Sequence, residues 1–134
     1  MTPYDVLIKN KFNSTIILEN LSIIFSISKD DILIIYDINE LEKKVEKRLI
    51  CLVQYLEGDF HTFLTFFSKL ELIDKGMELQ LADHLCKEFH NEVMFPSDSE
   101  NPYEMNVISE NGSKKKVFVN SMELDEFERY VIEK

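Results

Sequence analysis

Glycine and proline are scarce in this chain, three of each in 134 residues. So little of either excludes a long disordered tract or a loop-rich scaffold, and the 45 % apolar content suits a packed core. Cysteine is rarer still. Cys51 and Cys86 stand 35 residues apart, with no CxxC spacing and no secretory signal pattern ahead of them. This argues against a disulfide or metal pair and for two reduced, buried thiols in a cytoplasmic protein. No uncharged apolar run approaches the ~18 residues of a membrane span. Basic residues are outnumbered, 15 against 25 acids for a net charge of −10. That balance disfavours direct nucleic-acid binding, which rests on cationic counterion release. It favours a basic protein as partner and speeds its docking.

What is present fits one globular domain spanning residues 1–134. Thr2-Pro3-Tyr4-Asp5 reads as a helix start, with a short helix to about Phe12. Residues 15–38 are rich in isoleucine, which suits strands, yet Ile17, Leu21 and Ile24 also make a helical stripe. Helix is the preferred assignment there, because "SKDD" and "INELEK" each supply an N-cap. Asn39 with Glu42 forms a capping box ahead of Leu41, Val45, Leu49, Leu52 and Leu56, and Gly58 closes that helix. Asp59 then caps a second helix carrying Phe60, Phe63, Leu64, Phe66, Phe67 and Leu70 on one side. After Lys75-Gly76, the spacing of Met77, Leu81, Leu85 and Phe89 predicts a third.

"FPSDSENP" breaks the pattern as a surface loop over about 95–102. Asn111-Gly112 then centres a two-residue hairpin turn, with Glu110 facing Ser113, Ile108 facing Lys115 and Met105 facing Phe118. Asn120 with Glu123 opens a last helix whose Leu124, Phe127, Tyr130 and Val131 form one stripe. The expected fold is α+β: a mainly helical single domain with a β-hairpin near residues 103–119 and a C-terminal helix.

Catalytic chemistry finds little footing. His84 and Glu88 share a helical face at i, i+4 and could offer two metal ligands, but a site needs a third that neither His61 nor His90 supplies by spacing. Asp30-Asp31 read as first-turn acids complementing a helix dipole, and no nucleophile motif, phosphate loop or HExxH helix is present. No catalytic residue, metal or cofactor is expected. Charge is more informative: residues 59–134 carry 16 acids and 8 bases, against 9 and 7 in residues 1–58. Lys114, Lys115 and Lys116 interrupt that acidic half, where they keep an exposed ribbon soluble and guard its edge.

In size, in the acidic late segments "PSDSENPYE" and "MELDEFERYVIEK", and in its helix-plus-hairpin order, the chain resembles the small acidic immunity proteins of bacterial toxin systems, including those of contact-dependent growth inhibition. The resemblance implies a non-enzymatic, cytoplasmic inhibitor that binds a cognate basic protein toxin, often a nuclease, and masks its active site or substrate cleft. The contact surface expected from the charge layout is Asp98, Glu100, Glu104, Asp125, Glu126 and Glu133, with Tyr103 as an aromatic anchor. A small acidic chaperone for a secreted effector is the alternative, and a hydrolase using His84, Glu88 and a third metal ligand is another. Nothing in the sequence fixes an oligomeric state.

Overall fold

The computed structural model describes residues 3–42, 46–68 and 78–134. Along them run β1 (Tyr4–Ile8), α1 (Ser14–Phe25), β2 (Ile32–Ile35), β3 (Leu49–Tyr55), β4 (Thr62–Ser68), α2 (Glu78–Phe89), β5 (Val93–Pro96), β6 (Glu104–Ile108), β7 (Lys114–Phe118) and α3 (Ser121–Phe127). The strands form one mixed sheet in the order β2-β3-β4-β1-β5-β6-β7. The β2–β3 pair is parallel, and the other neighbours are antiparallel. A mainly helical domain is therefore the wrong description, because a seven-stranded sheet is the frame.

The physical reason lies in where the sheet is buried. Leu49, Cys51 and Val53 of β3 point to one side, where they join Leu64 and Phe66 of β4 and Val6 and Ile8 of β1. Ile50 and Leu52 point to the other side, with Phe67 and Ile35. A strand covered on both faces loses its polar alternation and reads as a continuous apolar run. Leu49, Leu52 and Leu56 then mimic a helical stripe by coincidence of spacing. The helix expected from Asn39 is instead a 3-10 turn at Ile38–Glu42 followed by β3, and the helix expected from Asp59 is β4. Tyr4–Ile8 is a strand as well, not the short first helix. The expected positions Thr2, Val45, Leu70, Lys75, Gly76 and Met77 lie outside the described residues.

Two helices form as expected in type. Asn13 caps α1 by accepting from the Ile16 N–H at 3.0 Å, Ile17 and Leu21 turn inward, and Ser26 ends the helix in the left-handed region. The preferred helix over 15–38 is thus right as far as Phe25. Beyond it, Ser28 caps only a three-residue turn before β2 begins. α2 buries Leu81, Ala82, Leu85, Cys86 and Phe89, and the Tyr4 hydroxyl donates to the Glu78 carbonyl at 3.0 Å, tying its first turn to β1. Together α1 and α2 cover one face of the sheet.

Over β1 and β5–β7 the opposite face is closed by the end of the chain. Leu7, Met94, Met105, Val107, Val117 and Val119 meet Phe60, Leu124, Tyr130 and Ile132 there. The last residues are held by the backbone: Asp59 N–H donates to Tyr130 O at 2.9 Å, Asn120 N–H to Val131 O at 2.7 Å, and Ile132 N–H to the Asp59 carboxylate at 2.8 Å. Asp59, expected to cap a helix, caps this tail instead. The final helix stops at Phe127, with Glu128 in the left-handed region. Among the described residues no helix is long and apolar enough to cross a membrane.

The tail can lie this close because residue 58 has no side chain. Gly58 has φ +108°, and a Cβ there would stand 2.9 Å from Tyr130 O. Gly58→Ala is expected to destabilise the fold by about 1–3 kcal/mol. The check is a lowered urea midpoint at unchanged slope.

Candidate partner-binding surface

The acidic loop between β5 and β6 is built by its own short polar side chains. Ser97 Oγ accepts from Ser99 N–H at 3.1 Å, Ser99 Oγ from Asn101 N–H at 3.1 Å, and Asn101 Oδ1 from Tyr103 N–H at 2.9 Å. Each bond spans two residues, the local geometry that serine and asparagine side chains favour. Residues 97, 99 and 101 are thereby engaged with the backbone, and the intervening Asp98 and Glu100 are exposed.

Tyr103 carries the loop onto α3. Its ring packs against the apolar layer beneath α3, and its hydroxyl donates to Asp125 Oδ2 at 2.6 Å. That bond raises the Tyr103 hydroxyl above its ordinary pKa, because Asp125 stabilises the proton. α3 itself begins on Asn120, whose Oδ1 accepts from Glu123 N–H at 3.0 Å, as the capping pattern predicts. Asp125, Glu126 and Glu128 are exposed.

Met122 and Phe127 stand among these acids with 61 % and 55 % of their surface open. Phe127 was expected in the core stripe with Leu124, Tyr130 and Val131. Phe127 is instead the last residue of α3, and its ring stays half open. Arg129 lies over it at 4.5 Å from the ring centre and pairs with Glu123 at 2.9 Å. The sequence pattern did not mark Met122 or Phe127 as open, because a helical stripe does not show how far the sheet beneath it reaches.

Two expected members fall elsewhere. Met105 and Val107 of β6 face α3, so alternation sends Glu104 to the helix-covered side. There Glu104 accepts from Ser97 Oγ at 3.0 Å and approaches Lys116 at 4.0 Å. Hydrogen bonds from Ser99 and Ser97, with Lys116 behind them, hold its carboxyl below the usual glutamate range. Glu133 lies past the helix, its N–H donating to Phe118 O, and Phe118 is in register with Glu104. The expected seven therefore divide: Asp98, Glu100, Tyr103, Asp125 and Glu126 belong to the loop and α3, while Glu104 braces the loop from behind and Glu133 ends the tail.

The hairpin is present with its register displaced by one residue. Ile108 pairs with Lys114 and Met105 with Val117. Gly112 N–H donates to Ser109 O at 2.9 Å and Gly112 takes φ +86°. The connection is thus a three-residue loop with its left-handed residue at Gly112, in place of the two-residue turn. Lys114, Lys115 and Lys116 are exposed on this edge strand.

The acidic loop also borders, through Asp98, a cleft of about 780 Å³ between the start of α2 and β5–β7, lined by Tyr4, Glu78, Asn106, Lys114 and Lys116. Cys51 and Cys86 are buried and unpaired, and burial raises both thiols above their ordinary range. Among the described residues no group of three or more His, Cys, Asp and Glu side chains is placed to hold a metal ion.

The Glu104 brace has a pH consequence. A carboxyl lowered in the folded state contributes stability that is complete above the unfolded glutamate value and is lost as pH falls through the lowered one. NMR titration is expected to place Glu104 below the usual glutamate range, and Ser97→Ala to move it upward. Unchanged titration in that variant would contradict the brace.

Comparison with protein-family models, curated proteins and solved structures finds no match to this chain, so its own surface chemistry must carry the functional argument.

Proposed function

We propose that this chain is a non-enzymatic cytoplasmic immunity protein that neutralises a cognate basic protein toxin by covering its active site or substrate cleft. The observation that carries this reading is the 2.6 Å bond from Tyr103 to Asp125. It links the acidic loop to α3, two separate stretches of sequence. α3 also exposes Met122 and Phe127 along with Asp125, Glu126 and Glu128. Protein interfaces use both kinds of group: apolar side chains give affinity, and charges give orientation and rate.

A nuclease toxin fits the chemistry of that face. It must present cations to phosphate, and carboxylates on an ordered scaffold occupy the same field. The net charge of −10 extends the attraction beyond contact distance.

Affinity capture at low salt from the native cell, read by mass spectrometry, is expected to return a basic toxic protein. Asp125→Lys with Glu126→Lys should weaken that complex by about a hundredfold or more and flatten its salt dependence. Phe127→Ala should weaken it mainly through faster dissociation. Binding unchanged in both variants would remove α3 from the interface. Capture of unfolded client segments in place of a folded basic protein would overturn the inhibitor reading.

A further inference from the structure

The two edges of the sheet are built on different terms. β7 carries Lys114, Lys115 and Lys116 exposed, and its end is covered by the tail through Glu133 N–H to Phe118 O and the Val119–Ile132 bridge. Lysines and a covering segment are the usual defences of an edge strand. β2, the other edge, is Ile32-Leu33-Ile34-Ile35, with no charge and no proline.

The hydrogen-bond phase shows which groups of β2 are open. Leu56 N–H donates to His61 O, so the even-numbered residues of β3 bond β4, and Leu49 and Cys51 turn toward β2. In a parallel ladder the residues opposite them, here Ile32 and Ile34, direct N–H and C=O to the free edge. Ile32 N–H is returned to Lys29 O. Among the described residues nothing bonds the outward N–H and C=O of Ile34. Beside this edge lies a groove of about 270 Å³, lined by Ser14, Thr15, Leu18, Ile32, Ile34 and Tyr36. Half-exposed Tyr36 and Ile38 continue the apolar surface past the strand.

We propose that β2 pairs antiparallel with β2 of a second copy of this chain, about a two-fold axis through Leu33. That register sets outward residues against outward residues, Ile34 facing Ile32 of the second copy. Ile34 N–H then donates to Ile32 O across the axis, and the symmetric bond returns. Paired residues of adjacent strands share a face, so the Ile32 and Ile34 side chains of both copies form one apolar strip and the two grooves meet. The same centre brings Lys29 of each copy level with Asp37 of the other. A parallel arrangement would bring like charges together at each end. β2 and β7 are opposite ends of the sheet, so the dimer leaves the α3 surface open and does not depend on what binds there.

Sedimentation of the full chain across the micromolar range should show a species at twice 15.8 kDa. Ile34→Lys, a charge placed on the edge, should weaken the dimer at least about tenfold while circular dichroism stays native. In the wild-type protein the Ile34 amide should be protected from hydrogen exchange at high concentration and lose that protection on dilution. This second measurement decides the matter if the variant fails to fold. A mass of 15.8 kDa throughout, a dimer insensitive to Ile34→Lys in a folded variant, or an Ile34 amide indifferent to concentration would each overturn the proposal. So would a monomer that captures an extended apolar peptide along β2.

Discussion

Everything in this fold depends on covering both faces of a sheet whose central strands are apolar on each side. β1 states the requirement in three residues, with Val6 and Ile8 turned to the α1–α2 layer and Leu7 to the opposite one. The first cover is made by α1 and α2. Over β1 and β5–β7 the second comes from the far end of the chain, and it is fixed by backbone bonds from Asp59 to Tyr130 and from Asn120 to Val131. Gly58 permits the approach because any Cβ would collide with Tyr130 O. The last fifteen residues are therefore a structural lid first. Their acids are exposed because Leu124, Tyr130 and Ile132 take the inward positions.

That division explains what the sequence could and could not reveal. Caps were legible where a short side chain closes on a nearby N–H: Asn120 on Glu123, and Ser28 on the turn at Asp30. α2 was legible because only one of its faces is buried, so its apolar spacing is uncontaminated. β3 and β4 were not. Two-sided burial fills every position with an apolar residue, and a run such as "LICLVQY" then satisfies helical and strand periods alike. The Asn39–Glu42 pair misled for a related reason. Asp37 and Glu40 take the capping bonds there, around a turn too short to propagate.

Parts of the candidate surface were legible for local reasons. In "PSDSENPYE" the alternation of Ser97, Ser99 and Asn101 with Asp98 and Glu100 encodes a loop that bonds inward at every second residue. The hairpin existed where Asn111-Gly112 placed it, but its register depended on whether one or two residues took the left-handed conformation, which the dipeptide alone does not decide. Glu104, beside the loop, and Asp125, on the last helix, both counted toward the expected contact surface. Strand alternation separates them, because one residue of phase moves a side chain through the sheet.

For the proposed binding, the order of the loop matters more than the number of its charges. A carboxylate on a mobile loop loses conformational freedom when a partner fixes it, and that loss offsets much of the attraction. Here the bonds from Ser97, Ser99 and Asn101 set the loop backbone in advance, Glu104 braces it from behind, and Tyr103 couples it to α3. In the proposed complex Asp98 and Glu100 therefore guide the approach of a cationic partner with little ordering left to do. In that complex Met122 and Phe127, already open on α3, would supply apolar burial. Charge then governs how fast and in what orientation the partner arrives, while the two apolar side chains govern how long it stays.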